Sequence, residues 1–248
     1  MFNFLNKKNK VLLPIEDWVK DYIEDAFRWI IKEFGIGIIK SNGILLPEDF
    51  FFQAENPEHF ATHALNIIAA RMNVAPALID LNFFYENISA SSFILNQEAT
   101  SQPMEESFTG LYKGKNEKGQ YVIVLNMGNL KSSESFILTL AHELSHVKIA
   151  EINLLEYDEY LVELLSLAFG FGIFGANCSF IFTKYLDSWG YSKQGYFRPQ
   201  DWAYSLAVYA FIRNEVNPPW SAYLSPVIKT DFNKSGKYLT VYPFKFNE

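Results

Sequence analysis

The run Ser135–Ile149 constrains this chain more than any other stretch, because it sets two histidines and an acid into an apolar helix. Its centre reads Ala141-His142-Glu143-Leu144-Ser145-His146. Phe136, Ile137, Leu138 and Leu140 precede it, and neither Pro nor Gly interrupts the run. Helical residues four apart share a face, so His142 and His146 aim two imidazoles at one point. Glu143 is turned about 100° from His142 and lies beside that point. Two neutral imidazoles and a carboxylate suit zinc, which acidifies a bound water to a pKa of roughly 7. Glu143 is then placed to take that water's proton.

A catalytic zinc expects a third protein ligand and one position left for water. The acids that follow His146 are Glu151, Glu156, Asp158, Glu159 and Glu163. Asn153-Leu-Leu-Glu156 has the form of a helix cap with its reciprocal acid, which predicts a second helix starting there. On that helix Glu156, Glu159, Glu163 and Ser166 form one polar stripe, while Leu154 to Leu167 is otherwise nearly all apolar. Carboxylates on such a surface are costly unless a cation or a donor meets them. Glu159 is the first choice of ligand, with Glu163 orienting His142 or His146 from behind. Glu156 is the alternative ligand.

The pattern His-Glu-x-x-His followed by Glu-x-x-x-acid resembles the gluzincin branch of zinc metallopeptidases. More narrowly, residues 138–180 and 189–220 resemble a family of uncharacterised bacterial zincin-like proteins. The features that carry this are Ala141–His146, Gly170-Phe-Gly-Ile-Phe-Gly-Ala-Asn177 and Gln194-Gly-Tyr196 with the helix after it. The gluzincin resemblance implies a zincin fold, His142, His146 and Glu159 as zinc ligands, and Glu143 as general base. Glu163 departs from that pattern, standing where Asp is usual.

Elsewhere the chain reads as helices around a small sheet. Residues 15–34 carry Ile15, Trp18, Val19, Tyr22, Ile23, Ala26, Phe27, Ile30 and Phe34 at helical spacing, with Gly35 as the stop. Residues 37–46 read as a short strand ended by Pro47, and Asn56-Pro57 opens a helix over 57–73. A strand is expected around Asp80–Tyr85, and 96–107 is the most polar, loop-like segment. Gly110–Lys113 and Tyr121–Asn126 read as a hairpin whose edge can pair with an extended peptide. Ser132 or Ser133 then caps the metal-binding helix.

Weaker signals point to structure. His59 and His63 are also four apart, but no acid lies between them. The G-x-G-x-x-G spacing of Gly170, Gly172 and Gly175 follows no strand, so it reads as close helix packing. Leu164–Thr183 carries no charge over twenty residues, and its glycines and acidic neighbours mark a buried core helix over a membrane span. Ser145 lies in no nucleophile elbow, and Cys178 reads as a buried thiol. Tyr196, Arg198 and Tyr204 are candidates to stabilise an oxyanion, Tyr196 foremost.

Acids outnumber bases 28 to 21, which disfavours nucleic acid or an anionic membrane as partner. A single cysteine suits a reducing compartment. Val11–Ile15 is too short for a signal peptide's apolar core, so the expected location is cytoplasmic.

The sequence therefore predicts one α+β zincin-like domain over 1–248. Residues 1–75 form its N-terminal helical part, 76–180 the metal-binding core and 181–248 a C-terminal helical part. The expected chemistry is zinc-dependent hydrolysis of peptide or amide bonds. The alternative is a non-catalytic binding or regulatory protein that keeps the fold and the metal.

Overall fold

The computed structural model describes residues 12–85, 109–128, 132–179, 181–184, 189–192 and 195–246. The polar segment 96–107 lies outside them. The fold is mixed α+β, rich in helix, and the chain divides into two compact units. One comprises Leu45–Phe174; the other joins Met1–Ile44 to Gly175–Glu248.

The unit Leu45–Phe174 is built on a three-stranded sheet of order β1-β3-β2. Strand β3 (Tyr121–Asn126) lies in the middle, parallel to β1 (Ile79–Phe84) and antiparallel to β2 (Gly110–Lys115). Its run Val-Ile-Val-Leu is β-branched or apolar and almost wholly buried, as a central strand requires. The β2–β3 turn is organised by Asn116, whose side-chain oxygen accepts from the backbone N–H of Lys118 and of Gln120, both at 3.0 Å. Gly119, at φ 77°, supplies the left-handed residue the turn needs.

Helix α3 (Pro57–Arg71) starts where the Asn56 side chain accepts from the His59 N–H at 2.8 Å, with proline in the first turn. Helix α4 (Ser133–Glu151) carries the histidine motif, and its cap is Ser132, which accepts from the Ser135 N–H at 3.1 Å. It packs against α3, β2, β3 and the following helix, so nearly every face from Ser135 to Ile149 is buried. Phe136 meets Phe60 edge-on, and Leu140, Leu144 and Val147 are fully enclosed. Each such side chain contributes about 1.5–3 kcal/mol of burial, which makes α4 a rigid platform for its polar residues.

The helix expected to open at Asn153 starts later. Asn153 does not open a helix: it takes a left-handed φ of 55° and ends α4, with the Leu154 N–H returning to the Ile149 carbonyl. The next helix, α5 (Glu159–Ser166), starts instead at Asp158, whose side chain accepts from the Leu161 N–H at 2.9 Å. Beyond α5 the chain loosens into a π turn over Leu167–Phe171, with Gly170 at φ 104°. That turn leads into α6 (Gly172–Cys178), in which the division between the units falls.

In the second unit α1 (Asp17–Phe34) buries Val19, Ile23, Ala26, Phe27, Ile30 and Ile31. Trp18, expected on that stripe, is exposed. The strand expected within 37–46 is instead the short helix α2 (Gly37–Lys40). Its end is satisfied by the Arg213 guanidinium, which donates to the carbonyls of Ile39, Lys40 and Asn42, so no strand partner is required. A two-stranded antiparallel ribbon joins β4 (Ile181–Lys184) and β5 (Trp189–Ser192). Helix α7 (Pro199–Ile212), buried almost throughout, packs on α1, α2 and α8 (Pro226–Val241). A Cβ at Gly175 would run into the Trp202 ring, so the spaced glycine there serves close packing.

Among the described residues one helical run, Glu159–Cys178, is long and apolar enough to cross a membrane, and 89% of its apolar window is buried within the protein.

Candidate metal centre

The structure brings His142, His146 and Glu159 together, with one possible ligand atom from each lying within 4.8 Å of the others. Helix α4 supplies the histidines on one face, and the first turn of α5 supplies the acid. Glu159 Oε2 lies 3.0 Å from His142 Nε2 and 3.5 Å from His146 Nε2. A tetrahedral zinc with bonds of about 2.0–2.1 Å separates its N and O ligands by roughly 3.3–3.4 Å. The two distances straddle that value, and the three ligand atoms lie close enough together that they could hold one ion. The donor set, two imidazoles and a carboxylate, is one that zinc accepts.

The electrostatics agree with the geometry. Burial opposes a charged His142, but the hydrogen bond to Glu159 and the charges of Glu143, Glu163 and Glu159 together hold its pKa above the ordinary value. Hydrogen bonds to His142 and His146 hold the Glu159 carboxyl far below the usual carboxylate range. In the metal-free chain these contacts favour positive charge on the cluster.

Glu143 is 5% exposed and lies against β2. Burial pushes its pKa up, only partly offset by the two histidines and by a hydrogen bond from the Tyr112 backbone N–H. A Cβ at Gly110 would sit 2.7 Å from Glu143 Oε1, so the strand comes this close only because glycine stands there. Glu163, one turn beyond Glu159, is 2% exposed and acts on His142 through its charge. Glu156 is exposed in the segment between α4 and α5 and stands outside the cluster, so the alternative ligand is not brought in.

Other candidates are engaged elsewhere. Tyr196, Arg198 and Tyr204 belong to the other unit. Arg198 is paired with Asp201 and Glu16, and Tyr204 donates to Glu24 at 2.7 Å. Tyr196 is half exposed. His59 and His63 pack about Phe52, His63 stacked on its ring at 4.1 Å and His59 edge-on at 4.8 Å. Ser145 Oγ donates to the Ala141 carbonyl inside α4, and Cys178 is buried.

Two tyrosines that the sequence reading did not place at the centre border His146. Tyr112 of β2 stacks on its ring, with planes 3° apart and centroids at 5.8 Å. Tyr157, just before the α5 cap, brings its hydroxyl to 3.0 Å from His146 Nδ1. Tyr112 follows the hairpin's alternation onto the helix-facing side, a signal the sequence held. Compared with family models, with curated proteins and with solved structures, the chain finds no match.

Proposed function

We propose that the protein is a zinc-dependent hydrolase of gluzincin type that cleaves peptide or amide bonds in the cytoplasm. The observation that carries this reading is the convergence of His142 Nε2 and His146 Nε2 on Glu159 Oε2, with the carboxylate of Glu143 on the same helix. His142, His146 and Glu159 would hold the ion. When bound, zinc supplies a Lewis acid that polarises a carbonyl and acidifies water.

Glu143 would act as general base and then pass its proton to the leaving nitrogen. Burial holds its pKa above the ordinary carboxylate value. The Tyr112 N–H fixes the orientation of that carboxylate. Glu163, buried beside His142, would steady that ligand. Among the described residues β2 pairs only with β3, so its outer edge offers backbone groups to an extended peptide beside the centre.

One observation favours a second reading, a binding protein that keeps the metal without turnover. Glu143 is almost sealed from solvent, so a water must be admitted before it can act. Glu143→Gln separates the two. In the hydrolase, zinc content is unchanged while cleavage of a peptide library falls by about 10²–10⁴-fold. Equal behaviour of wild type and variant across the library would leave only the binding reading.

A further inference from the structure

We propose that Tyr157 is a positioning residue of this centre: its phenol oxygen holds His146 Nδ1 and so fixes the ring orientation in which Nε2 faces the metal position. The inference rests on the metal-binding reading above and adds to it a residue outside the ligand motif.

An imidazole can ligate through only one nitrogen at a time, and the partner of the other nitrogen decides which. For His146, Nε2 lies 3.5 Å from Glu159 Oε2 on the converging side, and Nδ1 lies 3.0 Å from Tyr157 Oη on the opposite side. Once a cation takes the Nε2 lone pair, the proton sits on Nδ1, and that N–H donates to the phenol oxygen. The ring has two further constraints. Tyr112 lies flat against it, and His142 meets it edge-on with centroids 5.1 Å apart. Stacking fixes the plane of the ring but not its rotation within that plane. A flip would exchange nitrogen for carbon at both ends, and the Tyr157 contact is what selects one of the two.

Burial does not explain where Tyr157 sits. It is 37% exposed, and its neighbour Leu155 is 91% exposed, so apolar packing holds this connecting segment weakly. The tyrosine–histidine bond therefore ties the segment entering α5 to α4. Because that segment delivers Glu159, the same bond couples the third ligand to the second. Outer hydrogen-bond partners of ligating histidines are typically worth about 10–100-fold in metal affinity.

The test is Tyr157→Phe, which keeps the ring and removes the oxygen. Zn²⁺ affinity of the full chain is measured by competition with a chromophoric chelator, beside His146→Ala and wild type. Co²⁺-loaded samples give a visible spectrum that reports ligand geometry. Expected are a 10–100-fold weaker Zn²⁺ affinity in Tyr157→Phe, a changed Co²⁺ spectrum, and a metal-free melting temperature lowered by no more than the loss of one hydrogen bond accounts for. Affinity within twofold of wild type, while His146→Ala loses binding, overturns the role of Tyr157 and leaves the metal centre standing. A drop in affinity matched by an equal loss of metal-free stability overturns it as well, since the tyrosine would then be only structural. Wild type that binds no Zn²⁺ overturns the metal centre itself.

Discussion

Replacing Gly110 by alanine probes the contact between β2 and the motif helix most directly. The added Cβ would lie 2.5 Å from the Thr139 methyl and 2.7 Å from Glu143 Oε1. The carbon contact is about an ångström inside the ~3.5–4.0 Å optimum. Neither neighbour yields easily. Thr139 is β-branched and 4% exposed, and its hydroxyl donates to the Ser135 carbonyl at 2.9 Å. The Glu143 carboxylate is held by the Tyr112 N–H from the same strand. The strand must therefore lift away, at the expense of that bond and of the register that pairs Gly110 with Leu125. Overpacking of this kind costs about 1–3 kcal/mol. A loss of ~2 kcal/mol lowers the melting temperature of a chain this size by roughly 4–8 °C. Urea denaturation of the metal-free chain measures the loss, and chelator competition tests the metal site in parallel. The ligand side chains are untouched, so zinc affinity should change far less than stability or peptide cleavage. Stability within about 0.5 kcal/mol of wild type would refute the claim that glycine is needed for this approach.

Two further outcomes concern pH and helix α8. In the metal-free chain, stability from the raised His142 pKa is present below about 6.5 and is lost as pH rises through the folded value, while that from the lowered Glu159 pKa is present above about 4.5 and is lost on acidification. The melting-temperature gap between wild type and Glu159→Gln, followed from pH 4 to 9 with chelator present, should be widest between about 4.5 and 6.5; a gap that grows toward pH 9 would contradict the pairing. Gly236→Ala in α8 meets nothing within 4 Å, so it should stabilise the chain by about 0.5–1 kcal/mol in thermal unfolding, and a lower melting temperature would show that the helix needs glycine there.

How much of the centre was legible depends on the range of each signal. The His142–His146 pairing is set by one helical turn, and the sequence shows it without knowledge of the fold. The β2–β3 hairpin was legible for a similar reason, since alternation and the Asn116–Gly119 turn are local. Trp18 was misplaced because spacing alone cannot say how wide a buried stripe is. The meeting of Tyr157 with His146 was hidden, because it depends on how the chain reverses between α4 and α5. Yet the reversal itself had a signature. Asn73, Asn153 and Asn214 all take left-handed φ values just past a helix. In each case the following N–H returns to a carbonyl five residues back, from Val74 to Ala69, Leu154 to Ile149 and Glu215 to Ala210. Read as a terminator, Asn153 can no longer serve as a cap, and the next residue able to do so is Asp158. That shift makes Glu159 the first residue of its helix, leaves Glu156 outside it in solvent, and puts Tyr157 in the connecting segment rather than on the apolar stripe. The position of the third carboxylate is therefore governed by where one helix stops and the next begins, and only secondarily by the helical period that made the histidine pair visible.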